Sequence, residues 1–332
     1  MPGSATASRK SAESGSATAP EKVRGAGKGE TSKGGWRRVA TLGVLGLAVL
    51  LLVAVFAARA FLNNGAGQDF LAHYPGENPL PDTAPVGLPA WLGWSHFFNM
   101  FLMALIVKTG WQVRTQRKPD AYWRPRDGGK KISLTLWIHL ALDVLWVVNG
   151  AIFVVLLFTT GQWMRVVPTS WEVFPNALSA GLQYLTLDWP TENAWVNYNA
   201  LQQLAYFVTV FIAAPLAIAS GVRMSMWWKN EWTAANKLFP ASVARKIHFP
   251  VMVYFLVFVV VHVLLVLATG VLRNLNNMYV ARGDVDPDVY ANNWLGFIIL
   301  LVSLAVIAGA WVATKPAVLA PVARRFGEVT AR

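Results

Sequence analysis

Residues 247–270 read IHFPVMVYFLVFVVVHVLLVLATG, an apolar run long enough to cross a membrane as one helix. The run contains two histidines, His248 and His262, which are fourteen residues apart. In an α-helix this spacing corresponds to about 21 Å of rise and misses a whole number of turns by only about 40°. Both imidazoles are therefore expected to leave nearly the same face of the helix, one near each side of a bilayer.

The composition of the whole chain also indicates an integral membrane protein. Of the 332 residues, 55% are hydrophobic and only 14% are charged, whereas a soluble domain carries roughly a quarter charged residues. The chain contains no cysteine, which excludes disulfides, thiolate metal ligands and an iron–sulfur cluster held by this chain. The sequence shows no nucleophile–base pair, phosphate loop or carboxylate metal cluster, so we expect no chemistry on a covalent substrate.

The lengths of the apolar runs predict an all-α membrane protein with about six transmembrane helices, within a membrane domain at residues 36–314. The predicted spans are Trp36–Leu62, Trp91–Val113, Ile132–Thr160, Ala200–Val222, Ile247–Gly270 and Asn293–Thr314. Spans two to five form a four-helix core at about residues 90–272, with one extra span at each end. Residues 1–35, rich in Ser, Gly, Ala and Lys, are predicted to be a disordered basic tail, and residues 315–332 a second tail.

Lys and Arg residues are distributed very unevenly between the two sides of these spans. Twenty-five of them lie in the N-terminal segment up to Arg38, in the connections after spans two and four, in the C-terminal tail and at Lys108, and four lie on the opposite side. By the positive-inside rule, both termini are predicted to be cytoplasmic, in a multi-pass protein of a bacterial-type cytoplasmic (inner) membrane. Topology then explains the net charge of +12, and we expect no nucleic-acid binding. The two sides are called the inner and outer ends below.

This topology sorts the four histidines within the spans by depth. His96, near the start of span two, and His262, beyond the middle of span five, both fall in the outer half. His139, about a third of the way into span three, and His248, at the start of span five, both fall in the inner half. A buried imidazole is costly unless a ring nitrogen is satisfied, and haem iron satisfies one. We therefore predict two haem b groups, an outer one on His96 and His262 and an inner one on His139 and His248.

Polar residues near the inner pair are candidates for a supporting role. Asp143 follows His139 by four residues and shares its helical face. It is interpreted either as an acceptor for a haem ligand or a proton carrier beside a quinone site, or as a carboxylate at the inner interface or paired with an arginine. Arg223, Arg245 and Lys246 flank the inner pair and can pair with haem propionates, although topology alone also places bases there.

Two further polar residues receive simpler interpretations. His73 occurs in the outer connection, within Ala-His-Tyr-Pro-Gly, and is interpreted as a loop residue without a ligand role. Asn149 lies inside span three and is predicted to form a hydrogen bond between helices. Neither residue is part of the predicted haem sites.

Around the histidines the sequence resembles the γ subunit of membrane formate dehydrogenases, which belongs to the wider di-haem cytochrome b561-like family. That family also includes the cytochrome b subunits of nickel–iron hydrogenases and thiosulfate reductases. The matching stretches are Trp94-Ser-His96-Phe-Phe, Leu136-Trp-Ile-His139, Asn197-Tyr-Asn-Ala-Leu-Gln-Gln203 and the fourteen-residue spacing of His248 and His262. The resemblance covers spans two to five, and it implies the same pairing of histidines that their depths predict.

The resemblance implies an electron-transfer subunit rather than a self-contained catalyst. Such a b-type di-haem cytochrome would transfer electrons between a partner oxidoreductase, carrying molybdenum, nickel–iron or iron–sulfur centres, and the membrane quinone pool, with quinone as the mobile substrate. The chain departs from the four-span pattern by its first and last spans. One added span in front inverts the core relative to the four-span members, so the side on which a partner docks is left open.

Two other functions are compatible with the sequence. A haem-free membrane transporter or anchor would use the histidines as proton relays, although the chain has no Gly/Pro-broken helix pair in corresponding halves. A stand-alone transmembrane reductase of the b561 type would keep the haems and need no catalytic partner. Haem content tests the first alternative, and copurification of a catalytic subunit tests the second.

Overall fold

The computed structural model describes residues 31–331 of the chain. These residues belong to two separate units, divided between Val53 and Ala54. Helix α1 (Thr31–Leu62) begins in the first unit and ends in the second. The predicted disordered tail, residues 1–35, therefore lies almost wholly outside the described residues.

Within the described residues, six helices are long and apolar enough to cross a membrane, which confirms the predicted all-α multi-pass fold. They are Gly35–Leu62 in α1, α3 (Ala90–Thr115), α4 (Leu134–Thr159), Ala200–Met224, α9 (Ala241–Ala268) and α11 (Leu295–Ala313). The largest difference from the predicted spans is at α9, which begins at Ala241 rather than Ile247. Residues 241–246 are helical but not uniformly apolar, so a hydropathy pattern includes only the part of the helix after them.

The shorter helices and strands lie in the connections between the spans. They are α2 (Gly65–His73), β1 (Ala121–Pro125), β2 (Ile132–Ser133), a 3₁₀ turn at Gln162–Arg165, α5 (Val173–Leu185), α8 (Thr233–Leu238), α10 (Val271–Leu275), a π-helical turn at Asn276–Val280, α12 (Pro316–Ala323) and β3 (Gly327–Ala331). His73 is the last residue of α2, so the prediction that it lies in a loop is wrong. The Asn64 side chain caps this helix by accepting a hydrogen bond from the Gly67 amide, a local signal that apolar run length does not contain.

The fourth span consists of two α-helices joined by a wider turn. These are α6 (Ala200–Phe207), a π-helical turn at Val208–Ala213, and α7 (Ala214–Met224), which has Pro215 in its first turn. A proline has no N–H to donate to the preceding turn, and a π-helical turn is one of the ways a helix accommodates that loss. Span four is therefore helical along its whole length. The π-helical turn shifts the hydrogen-bonding register between α6 and α7.

Polar contacts hold the outer-end connections together. Arg165, which is 1% exposed, donates to the backbone carbonyls of Pro85 and Trp195 at 2.9 and 2.8 Å. Burial lowers the pKa of this guanidinium, but the ordinary pKa of arginine is so far above neutrality that the group stays charged. Asn193 donates to the carbonyl of Asp284 at 2.8 Å. The connections before span two, after span three and after span five are thereby joined to one another.

A three-stranded antiparallel sheet closes the inner end. Its strand order is β2-β1-β3, with Trp123 of β1 opposite Ile132 of β2 and Val329 of β3. The Trp123 side chain is 7% exposed and donates from Nε1 to the carbonyl of Ala323 at 3.1 Å. The sheet thus joins the connection after span two to the C-terminal segment. Sequence reasoning did not predict it, because the strands are short and β1 pairs with residues about 200 positions away.

Candidate haem-binding sites

The structure places the four span histidines at two levels of the bundle. His96 is six residues after the start of α3, and His262 is six residues before the end of α9, so each lies about 9 Å from the outer end of its helix. His139 is five residues after the start of α4, about 7.5 Å from the inner end. His248 is seven residues after the start of α9, about 10.5 Å, and thus lies inside the helix rather than at its beginning.

The two outer histidines face each other across α3 and α9. Their ring centroids are 6.3 Å apart, with an angle of 52° between the ring planes. Two metal–nitrogen bonds of about 2 Å each, together with the half-widths of the two rings, add up to a similar separation. Phe258 stacks on the His262 ring at 5.7 Å, and Tyr206 contacts it edge-on at 6.3 Å. Aromatic packing therefore holds His262 in an orientation compatible with an iron between the rings.

The His96 ring carries an unsatisfied nitrogen. Its Nδ1 is buried and has no hydrogen-bond partner among the described residues. Tyr279 packs edge-on against the ring at 5.8 Å and donates its hydroxyl to the sulfur of Met100 at 3.7 Å. Burial raises the pKa of Tyr279 to about 12, so the phenol is neutral at physiological pH. A buried ring nitrogen without a partner is costly, and the His96 ring therefore lacks the hydrogen bond that the second nitrogen of a metal-bound imidazole usually makes.

Each inner histidine has a hydroxyl group on its Nδ1 atom. Thr109 Oγ1 lies 3.0 Å from Nδ1 of His139, and Ser220 Oγ lies 3.0 Å from Nδ1 of His248. Both hydroxyl-bearing residues are completely buried. Because Nδ1 is occupied on both rings, Nε2 is the nitrogen available for a metal.

Glycines give the inner imidazoles the space they occupy. A Cβ atom added to Gly110 would lie 3.0 Å from Cε1 of His139, and one added to Gly221 would lie 3.5 Å from Cε1 of His248. Each glycine directly follows the residue whose hydroxyl meets the same histidine. The dipeptides Thr109-Gly110 and Ser220-Gly221 thus support the two rings in the same way.

Asp143 contacts His139, as their four-residue spacing predicts. Its Oδ2 lies 3.7 Å from Nε2 of His139, which is too long for a hydrogen bond. The Asp143 carboxylate is also within electrostatic range of His248. It therefore lies on the side of the predicted iron and not on Nδ1, the position that a hydrogen-bond acceptor for a metal-bound imidazole takes.

The basic residues predicted to flank the inner pair lie at the inner end. Arg223 donates from Nε to the carbonyl of Phe239 and covers the Trp228 ring at 4.8 Å. Arg245 and Lys246 lie in the first turns of α9 and are exposed. Within the described residues, none of the three bases pairs with a carboxylate. They are thus available to an anionic group at this end.

Further buried polar atoms lack partners toward the outer end. Among the described residues these are Nε1 of Trp91, Nε of Arg273 and both side-chain atoms of Asn277, which is 1% exposed. The turn containing Asn277 packs on span two, where a Cβ added to Gly93 would lie 2.3 Å from the carbonyl oxygen of Met278. Unpaired buried amides are rare in native proteins because each costs about 1–3 kcal/mol. The outer level thus combines a histidine pair with unsatisfied donors.

The Asn197–Gln203 stretch has a structural role in the fold. Asn199 caps α6 by accepting from the Gln202 amide at 2.8 Å, while the Gln202 side chain accepts from the Asn199 amide at 3.2 Å. Asn197 donates to the carbonyl of Asn78 at 2.9 Å. The carboxylate of Glu192 accepts from Asn199 and from Gln202. This part of the resemblance therefore reflects how span four begins and how the outer connections meet.

Asn149 forms the predicted contact between helices. Its Nδ2 donates to the backbone carbonyl of Ser95 at 3.2 Å, and its Oδ1 accepts from the Ser95 hydroxyl at 3.3 Å. Ser95 directly precedes His96, so this pair fixes span three against span two beside the outer level. Sequence reasoning missed Thr109 and Ser220, because buried Ser and Thr hydroxyls in membrane helices commonly serve helix packing and carry no distinguishing pattern.

The residues present fit a bis-histidine haem better than a free metal ion. Among residues 31–331, no group of three or more His, Cys, Asp or Glu side chains is placed to hold a metal ion. A haem iron, in contrast, takes four ligands from its porphyrin and needs only two from the protein. Two histidines at each of two levels, with the paired rings 6.3 Å apart at the outer level, match that requirement.

Comparison with known proteins gives one distant relationship. No family model and no solved structure matches the chain. Over 190 residues the chain is 26% identical to a protein of Azospira oryzae named putative protein-methionine-sulfoxide reductase subunit YedZ1, and the match covers 54% of this chain and 88% of that protein. That protein is named as a reductase subunit, and the similarity does not bear on the number of haems.

Proposed function

We propose that this chain is a b-type di-haem membrane subunit that transfers electrons between a catalytic reductase subunit and the quinone pool. The observation that carries the proposal is the arrangement of its span histidines. Four imidazoles lie at two levels, and each level receives its two rings from different helices. The distant relative named as a reductase subunit supports the same class of function.

His96 and His262 would hold the outer haem, and His139 and His248 the inner one. A haem ligated in this way supplies reversible one-electron chemistry at its iron. The chain binds and orients the group through Nε2 of the inner imidazoles and through the aromatic packing of the outer ones. The apolar spans exclude water, and burial is one of the properties that set the potential of a haem.

Polar groups at each end of the bundle suit the carboxylates of haem. At the inner end, Arg223, Arg245 and Lys246 have no carboxylate partner among the described residues. At the outer end, Asn277 and Arg273 carry buried donor atoms for which residues 31–331 supply no partner. Hydrogen bonds from such donors to a haem propionate would satisfy both the buried donor atoms and the propionate oxygens.

The partner is proposed from the similarity, and quinone from the resemblance. YedZ1 is named as a subunit of a methionine-sulfoxide reductase, so a catalytic reductase subunit is the kind of partner we propose for this chain. As an electron-transfer subunit, the chain would receive electrons from one molecule and pass them to another. Quinone, dissolved in the bilayer, is the proposed second electron carrier.

Haem stoichiometry tests the proposal directly. Full-length protein expressed with ample haem should contain two haem b groups per chain by the pyridine haemochrome assay, with low-spin spectra. The His262→Ala variant should contain one. The His73→Ala variant is the matched control and should retain two, because the one hydrogen bond of the His73 ring within the described part of the chain is to the carbonyl of Asp69 in its own helix.

The pairing has its own test. His96→Ala and His262→Ala should each remove the same haem, and the double variant should still contain one. His96→Ala combined with His139→Ala should remove both. Wild-type protein without haem would contradict the proposal and favour a transporter or anchor, and a double His96/His262 variant without haem would contradict the pairing.

A further inference from the structure

The two hydroxyls beside the inner histidines donate their protons to backbone carbonyls and not to the histidines. Thr109 donates to the carbonyl of Leu105 at 2.8 Å, and Ser220 donates to the carbonyl of Leu216 at 2.6 Å. A carbonyl oxygen can only accept, and a hydroxyl has a single proton. Each hydroxyl oxygen must therefore accept from the histidine Nδ1, so Nδ1 of His139 and of His248 carries the proton.

The same two residues fix the direction of each ring. The hydroxyl holds Nδ1, and the following glycine lets the Cε1 edge approach its helix backbone closely. With Nδ1 bonded and Cε1 in close contact, each ring is held by two of its atoms against the supporting helix. Span two thus positions His139 of span three, and span four positions His248 of span five.

The outer histidines lack this support. Nδ1 of His96 has no partner, and no hydrogen bond to the His262 ring occurs in the described part of the chain. Aromatic rings contact both imidazoles instead: Tyr279 on His96, and Phe258 and Tyr206 on His262. An aromatic ring packs against an imidazole but does not accept its N–H as strongly as an oxygen does.

We propose that Thr109 and Ser220 are positioning residues that make the inner haem the lower-potential haem of the two. This inference rests on the proposed di-haem function. An acceptor on Nδ1–H raises the electron density at Nε2 and makes the imidazole a stronger ligand. A stronger donor favours ferric over ferrous iron and so lowers the potential. Asp143 beside the inner level acts in the same direction, because its negative charge also favours the ferric form.

The consequence concerns the direction of electron transfer within the chain. Without an applied membrane potential, an electron is more stable on the haem of higher potential. The unequal support of the two levels therefore favours transfer from the inner level to the outer level.

Redox titration of single-haem variants tests the proposal. In a His262→Ala background only the inner haem remains, and Thr109→Val removes the hydroxyl while it keeps the side-chain shape. We expect its midpoint potential to rise by up to about 59 mV, which corresponds to a tenfold change for a one-electron couple. Ser220→Ala should act in the same direction. Thr109→Ser, which retains the hydroxyl, should restore the wild-type value.

Two controls separate the hydroxyl effect from general disturbance. Thr115 donates to the carbonyl of Trp111 at 2.8 Å, as Thr109 donates to that of Leu105, but between residues 31 and 331 it forms no hydrogen bond to a histidine. Thr115→Val should leave the potential unchanged. In a His139→Ala background, which keeps only the outer haem, Thr109→Val should also have no effect.

The possible results separate this inference from the function on which it rests. Loss of the inner haem in Thr109→Val with retention in Thr109→Ser would support it, since loss of such an acceptor weakens metal binding by about 10–100-fold. An unchanged potential in Thr109→Val, or an inner haem of higher potential than the outer one, would overturn it while leaving the di-haem proposal in place. Wild-type protein without haem would refute the proposed function instead.

Discussion

At the scale of single residues, the inner site depends strongly on the absence of a side chain at Gly110. A Cβ added there would lie 3.0 Å from the His139 ring, a distance that forces the ring to move by a few tenths of an ångström. Overpacking of this kind costs about 1–3 kcal/mol, so Gly110→Ala should weaken binding of the inner haem by roughly tenfold or more. Haem loss on dilution and the EPR signals of the ferric haems measure the effect.

Substitutions at two other glycines serve as comparisons for the Gly110→Ala variant. Gly221→Ala should have a smaller effect, because its Cβ would meet His248 at an ordinary contact distance of 3.5 Å. Gly150→Ala is the matched control, since a Cβ there would have nothing within 4 Å. Equal behaviour of the Gly110 and Gly150 variants would show that His139 does not occupy the proposed position when haem is bound.

Some of the residues at the candidate sites can be predicted from the sequence, and others cannot. Histidines inside apolar spans are rare enough to be noticed, and their spacing predicts two levels that the helix bounds reproduce. The sequence alone does not identify Thr109 and Ser220 as site residues. Only the packing of spans two and four brings their hydroxyls to the histidine rings on spans three and five. The role of Asp143 does not follow from its spacing either, because a shared helical face does not determine which ring nitrogen of His139 the carboxylate approaches.

At the scale of secondary-structure elements, Lys108 fixes the end of the last span. Its ammonium group donates to the backbone carbonyls of Trp311 and Thr314 at the C-terminus of α11. Carbonyls at a helix end lack partners within the helix, and a cation near them is favourable by about 0.3–1 kcal/mol where the cation is largely exposed to solvent. Lys108→Met should therefore speed hydrogen exchange of residues 311–315 by roughly two- to fivefold.

Exchange mass spectrometry in detergent measures this local opening. The haem spectrum should not change, because Lys108 contacts none of the four histidines within the described structure. Lys118→Met is a suitable control, since Lys118 is an exposed base beyond the end of α3. Exchange as slow as wild type in the Lys108 variant would show that α11 ends without its help.

Element boundaries follow from sequence only where hydropathy determines them. Five of the six predicted spans agree with the helices to within two residues at each end, because the hydrocarbon core requires apolar surface over that length. The early start of α9, the π-helical turn before Pro215 and the sheet at the inner end depend on other causes. They reflect helix propensity, a missing proline N–H and long-range strand pairing, none of which leaves a periodic apolar pattern.

At the scale of the whole molecule, the two ends of the second unit are closed differently. Side chains join the connections at the outer end, where Arg165 and Asn193 bond to carbonyls of neighbouring segments. Backbone pairing in the small sheet joins the connections at the inner end. The bundle between them presents apolar side chains outward, such as Val148 and Val260, which are 50% and 58% exposed and suit contact with lipid. Both histidine levels thus lie between fixed ends.

The orientation of this bundle in the membrane is open to a direct experiment, because the chain has no cysteine of its own. Asp127 lies in the connection that carries β1 and β2, Asp288 lies in the connection after span five, and both are exposed. Replacing either with cysteine removes one negative charge, so the two variants are matched. The excess of Lys and Arg on the inner side predicts that Asp288→Cys reacts with a membrane-impermeant maleimide in intact cells, while Asp127→Cys reacts only after permeabilisation. The opposite labelling pattern would invert the proposed topology, exchange the inner and outer haems, and reverse the direction of transfer across the membrane.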